Sequence, residues 1–299
     1  MIRIESRTYT GTAAAQEVLM GAGPDFALTK RLNGAATNAY ALWRGMPRNL
    51  ANVPGASQAS KANQIVDLTR DGIYVGSGQS QSAALYAAVT IKGLRGSKHF
   101  ATGRFSTNNV DNRAMAGREG CGFQPDLLWM QRRTDGAALA AFRHRDHVGD
   151  QSQTFAAAAT SNLIQSFTAD GFTLGNSPTV NGSAADLVDW WALRNVPGAI
   201  HCTSFVGTGA AQDIALPFQP TVVLLKNRDT ADPAFLLTQG MLDSAIASHP
   251  ITAAAADATG ITGIGAAGFS VGALAACNGA GNTILVVALR DGTFYPGRA

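Results

Sequence analysis

Short apolar runs separated by turn residues recur along the whole chain. Where alternation is clearest, its period is two. Ile73-Tyr74-Val75 lies between Gly72 and Gly76, and Phe172-Thr173-Leu174 lies between Gly171 and Gly175. That spacing predicts short half-buried strands closed by glycine turns. Longer runs follow Pro24, Pro125 and Pro220, for example Phe26 to Arg31 and Val222 to Arg228. Proline is tolerated at the start of a strand but not inside a central one, so each run predicts a strand opening just after the ring. A third kind of run, Leu85 to Lys92, Leu187 to Arg194 and Ile284 to Arg290, is apolar almost throughout and ends in a base. Such continuity predicts strands buried on both faces. The alanine-rich stretches Ala156 to Thr160 and Ala253 to Ala258 contain helix formers. Their length predicts loops or single helical turns.

These landmarks come three times in the same order. The glycine hairpin beginning at Gly72 recurs at Gly171 and Gly268, steps of 99 and 97 residues. Gly11 and Gly207 each precede a proline by 13 residues, whereas Gly103 precedes Pro125 by 22, which predicts an insertion near 108–120 in the middle copy. Self-similarity at this period predicts three domains, 1–95, 96–198 and 199–299, joined by short linkers at Gly93 to Ser97 and Asn195 to Gly198. The expected fold class is all-β: three tandem antiparallel β-sandwich, jelly-roll-like repeats. Linkers of a few residues force neighbouring copies together. Compact packing follows, with a pseudo-three-fold ring as one arrangement.

Composition narrows the function classes. Charged residues are 14% and net charge is +3, with no basic run. This does not suit a nucleic-acid binder. Three cysteines without a CxxC pair argue against a disulfide framework or a cysteine-rich zinc site. No apolar run approaches the roughly 20 residues of a membrane helix, and the expectation is a chain made in a cytoplasm without an export signal and without membrane insertion.

The middle copy carries Gly122-Phe123-Gln124-Pro125-Asp126-Leu127-Leu128-Trp129. It continues with Ser166-Phe167-Thr168-Ala169-Asp170-Gly171-Phe172-Thr173-Leu174-Gly175 and Val188-Asp189-Trp190-Trp191-Ala192. These phrases resemble a domain of bacteriophage tail-fibre and virion proteins. The third copy departs from it at Thr221, in place of the Asp, and at Leu225, in place of the Trp. The resemblance implies a β-sandwich and a virion component, and it carries no catalytic residues.

Candidate chemistry is sparse. His144 and His147 stand three apart within Arg143-His144-Arg145-Asp146-His147. Imidazoles are common metal ligands, but Arg143 and Arg145 would repel a cation, so a solvated basic loop or a subunit contact is the plainer reading. Asp71 and Asp170 occupy one repeat position before glycine, which is hairpin chemistry, and the third copy has Ala267 there. Gly76-Ser77-Gly78 is only a fragment of a phosphate loop. Trp190 and Trp191 are adjacent on an expected strand, so one faces inward and the other outward, toward an interface or a ligand. The site expectation is therefore an interface or ligand contact at Trp190, Trp191, Arg143, His144, Arg145 and His147, with no catalytic residue, metal or cofactor. The functional expectation is a non-enzymatic bacteriophage virion structural protein of the tail, tail tip or tail fibre. The alternatives are a capsid decoration or head-spike protein and a glycan-binding host-attachment adhesin. The expected partners are other virion proteins in a symmetric or self-assembled particle, and a host surface glycan for the adhesin.

Overall fold

The computed structural model describes residues 1–56, 60–93, 97–133, 140–182 and 186–295. The first copy contains β1 (Ile2–Thr10), β2 (Gln16–Leu19), β3 (Phe26–Arg31), β4 (Tyr40–Trp43), β5 (Ile65–Leu68), β6 (Gly72–Val75) and β7 (Leu85–Gly93). The second contains β8 (Phe100–Ser106), β9 (Arg113–Met115), β10 (Leu127–Arg132), β11 (Ala141–His144), β12 (Gln153–Thr154), β13 (Ile164–Thr168), β14 (Gly171–Leu174) and β15 (Leu187–Leu193). The third contains β16 (Ile200–Val206), β17 (Gln212–Ala215), β18 (Val222–Asn227), β19 (Phe235–Thr238), β20 (His249–Pro250), β21 (Ile261–Gly265), β22 (Gly268–Val271) and β23 (Thr283–Leu289), and the chain continues into β24 (Gly292–Phe294).

Each copy is a sandwich of a five-stranded and a three-stranded antiparallel sheet. The large sheets run β24-β1-β7-β3-β4, β12-β11-β10-β15-β8 and β16-β23-β18-β19-β20. The small sheets run β2-β6-β5, β13-β14-β9 and β17-β22-β21. In every copy the strand after the proline lies between its hairpin partner and the closing strand, with Phe26, Leu127 and Val222 opposite Ile91, Leu193 and Leu289. The expected all-β sandwich architecture is therefore present three times, with four strands of each large sheet in one topology and the fifth added at one edge by β12 or β20 and at the opposite edge, in the first copy, by β24. The alanine-rich stretches are loops and turns. The boundary between 95 and 96 lies outside the described residues.

The landmark glycines have a common cause. A Cβ at Gly72, Gly171 or Gly268 would overlap the carbonyl oxygen of Val18, Met115 or Ile214 on the neighbouring strand. The same holds at Gly76, Gly175 and Gly272, which press on Asn63, Asn162 and Thr259. Only glycine permits these approaches.

Pairing also corrects the spacing of the middle copy. Thr10, Ser106 and Val206 face Leu85, Leu187 and Thr283, so the counterpart of Gly11 and Gly207 is Thr107, not Gly103. Thr107 lies 18 residues before Pro125, so the insertion is five residues long, one ahead of β9 and four after it. Gly103 serves packing instead, because a Cβ there would strike the indole of Trp190.

The large sheets are buried on both faces. One face of each packs on its own small sheet, forming clusters around Ile73 and Val75, around Phe172 and Trp190, and around Phe269 and Val286. The other face enters one core shared by all three copies, which includes Phe26, Trp43, Ile91, Trp129, Trp191, Leu193, Val222, Val287 and Leu289. The three large sheets thus surround a pseudo-three-fold axis, with the small sheets outside. This explains why the closing strands read as continuously apolar.

The ring closes through the end of the chain. β24 pairs with β1, placing Gly292 opposite Ile4, and Val196 bridges Ile200 at the corresponding place between the second and third copies. Asp291 accepts hydrogen bonds from the Ser6 amide and hydroxyl and from the Thr221 hydroxyl. A short helix, Gln239–Asp243, packs on β1.

Candidate functional site

The axis is built from four sets of equivalent side chains, each with one member per copy. They are Phe26, Leu127 and Val222; Leu28, Trp129 and Leu224; Val89, Trp191 and Val287; and Ile91, Leu193 and Leu289. The sets are unequal in size. The middle copy supplies two indoles, with ring centroids 5.4 Å apart, and Phe26 packs 4.3 Å from Trp191. Trp43 and Phe155 extend the aromatic cluster, 6.2 Å and 4.5 Å from Trp129. The third copy contributes only aliphatic groups at these levels. A cavity of about 50 Å³ remains on the axis. No acceptor among the described residues meets the indole N–H of Trp43, Trp129, Trp190 or Trp191. Their contribution is apolar area, against a desolvation cost of about 1–3 kcal/mol for each unmet donor.

Trp190 and Trp191 therefore point to opposite faces, as adjacent strand residues must, but both are buried. Trp190 fills the sandwich of its own copy, against Phe172 at 5.6 Å. Trp191 faces the shared axis. The face taken as outward is an interface, but one between copies within this chain.

The Arg143–His147 segment is largely buried, which overturns its reading as a solvated loop. Arg143 spans the end of its sandwich, donating to the carbonyls of Gln151, Ile164 and Gly149, with its guanidinium over the Phe167 ring. His144 Nδ1 accepts the Asp146 amide, so Nε2 carries the proton and donates to the Val286 carbonyl of the third copy at 3.1 Å. His147 Nδ1 accepts the His144 amide at 2.9 Å, and its Nε2 donates to Gln153. Gln153 in turn donates to the Asn227 carbonyl across the same seam. Both imidazoles are held neutral: burial pushes each down to about 3, although the bond to Val286 or Gln153 opposes the shift. All four ring nitrogens are thereby engaged. Among the described residues, no three His, Cys, Asp or Glu side chains converge as a metal cage would require. Arg145 alone is well exposed, and it pairs with Asp126 at 3.0 Å.

Asp126 belongs to a repeated clamp that the sequence signalled only in part. The side chains of Asp25, Asp126 and Thr221 accept the backbone N–H of Gly93, Asn195 and Asp291, at or just beyond the end of each closing strand. The first two also pair with Arg44 and Arg145. In the third copy the position of that arginine is Gln239, whose amide donates to the Thr221 carbonyl as those of Arg44 and Arg145 do to their aspartates. The paired change, Asp to Thr and Arg to Gln, was available in the sequence as a correlated substitution. Beside Arg145 lies an open cleft of about 360 Å³, bordered by Gln124, Asp126, Asp146, Ser166 and Phe167.

Other seam groups gave no local signal. Lys30 and Lys226 are equivalent and buried, and burial lowers both to about 8. Lys30 reaches across to the Thr252 carbonyl at 2.8 Å, whereas Lys226 bonds Asn227 and Thr230 within its own copy. Asp189 is buried and holds Arg133 through both oxygens and Arg104 at 3.2 Å, while Arg104 also donates to Gly45 of the first copy. Asp170 anchors the insertion, its carboxylate accepting the Gly117 amide at 2.7 Å. All three cysteines are free and buried. Among the described residues no helix is long and apolar enough to cross a membrane.

No curated protein matches the chain. One family model does, described as Domain of unknown function (DUF7483), over residues 95–203. That stretch takes in all the strands of the middle sandwich, β8 to β15, and the first residues of β16, so the chain is similar to that family over its middle copy.

Proposed function

We propose that the protein is a non-enzymatic structural component of a bacteriophage particle, placed in the tail, its tip or its fibres. The observation that carries this reading is the shared core: three sandwiches with one four-stranded topology in their large sheets contribute equivalent positions to a single apolar axis. A block of this kind is a trimer in one polypeptide, rigid and suited to symmetric neighbours. The resemblance of the Gly122–Trp129 and Ser166–Gly175 phrases to virion domains supports the same reading. Its partners would be other virion proteins, with no cofactor, nucleic acid or membrane insertion required. Mass spectrometry of gradient-purified particles tests it directly. The expected result is the protein at a fixed stoichiometry, located in the tail by a labelled cryo-electron-microscopy map. Label on the head would favour a capsid decoration or spike, and absence from the particle would remove the proposal.

A second reading, a glycan-binding attachment protein, draws on the cleft beside Arg145. There a half-buried phenylalanine, two arginines, two aspartates and a serine border one open space. Aromatic faces with polar fringes suit sugars. Binding of purified protein to host-surface polysaccharide, weakened in Phe167→Ala, would support it.

A further inference from the structure

We infer that the axial cavity is a binding site for an apolar guest smaller than benzene, held by all three copies at once. The wall fixes the chemistry. Leu28, Trp129, Trp191, Leu224 and Val287 surround it, and no polar atom reaches its surface. The polar groups that border it turn away: the indole N–H groups of Trp129 and Trp191, though without acceptors among the described residues, do not reach the cavity surface. Lys226 Nζ is bound to the carbonyls of Asn227 and Thr230, and His144 Nε2 to that of Val286. A water molecule inside would find none of the two to four partners it needs, so the space is dry. At about 50 Å³ it has more than the roughly 10–15 Å³ a single water requires and about a third of the volume of an engineered cavity that admits benzene.

The cause of the void lies in unequal residue sizes. Beyond the four equivalent sets, its lining comes from Phe142 and Phe155 of the middle copy and from Leu236 and Leu285 of the third, so it sits toward the seam between them. There the tryptophans face Leu224 and Val287, which are too short to meet them fully. Guest contacts would therefore be dispersive and would bridge copies, stabilising the closed ring over any opened form.

Xenon is the probe, because it is apolar and fits. Crystals of the full-length protein under xenon pressure should show one xenon atom on the axis, within contact of Trp191 and Val287, and dissolved xenon should give a saturable shift in 129Xe resonance. Val287→Leu fills the space and should reduce uptake at least tenfold while leaving the far-ultraviolet dichroism unchanged. Val222→Ile is the second filling variant if the first does not fold. Absence of axial xenon, or equal uptake by a folded filling variant, would overturn the inference.

Discussion

At the scale of single residues, the landmark glycines show how a sequence signal can be right in place and incomplete in cause. The pattern of glycine, apolar, any, apolar, glycine was legible as a hairpin. The structure adds that Gly72, Gly171 and Gly268 lie against the carbonyl of the adjacent strand. Gly171→Ala should therefore cost on the order of 3 kcal/mol by overpacking. Gly263→Ala, with open space around the added carbon, should change the urea midpoint little. The histidines were harder to place. Nothing local to Arg143-His144-Arg145 announces burial, because Arg143 is enclosed by other segments of its own sandwich and His144 by the third copy. Its consequence is acid sensitivity. Burial first, together with nearby cations, lowers His144 and His147 to about 3 and His249 to about 4, whereas the unfolded chain takes up these protons near pH 6.5. The unfolded state thus binds more protons in that window. Stability is fully present above pH 6.5 and falls as pH drops toward 4 and then 3. The slope approaches about 1.4 kcal/mol per pH unit for each histidine. Urea midpoints at pH 7.5 and 5 should show the fall, and His147→Gln, which can keep both hydrogen bonds, should make it shallower.

At the scale of elements, the strands after Pro24, Pro125 and Pro220, the glycine hairpins and the closing strands were readable because each carries its own periodicity. The register was less so. Gly103 looked like the opening glycine of the middle copy, yet it is a clearance for Trp190, and only cross-strand pairing shows that Thr107 holds the position. β24 was not legible at all, since three residues paired with the far end of the chain leave no local pattern. Its role can be measured. A chain ending at Arg290 should keep its overall fold, while hydrogen exchange at Ile2 to Ile4 accelerates and that of β8 and β15 stays as it was. The clamp after each closing strand gives another test. Asp126→Ala removes the acceptor for the Asn195 amide and the partner of Arg145, and should cost about 1.5–3 kcal/mol, the usual range for hydrogen bonds to a charged group.

At the scale of the molecule, the sequence indicated that the closing strands are buried on both faces but not what covers the second face, because a three-sheet axis is a relation between distant segments. Short linkers alone required only that neighbours touch. The shared core goes further and makes one compact body, so small-angle scattering should give a radius of gyration near 19 Å, the value expected for about 300 residues in one globule. Calorimetry should show a single transition in place of three. A rod-like profile or separate melting of the copies would contradict the shared core. The unequal sizes at the axis also bear on descent. Three identical chains around a true axis must place the same residue at each level three times. A chain with its copies joined is free of that constraint, and here each of two levels holds one tryptophan and two aliphatic residues: Trp129 with Leu28 and Leu224, and Trp191 with Val89 and Val287. Fusion therefore lets the copies specialise, one growing where the others shrink, and once that has happened the middle copy can no longer occupy all three places: three indoles at the level of Trp191 would overfill the space that two valines now leave.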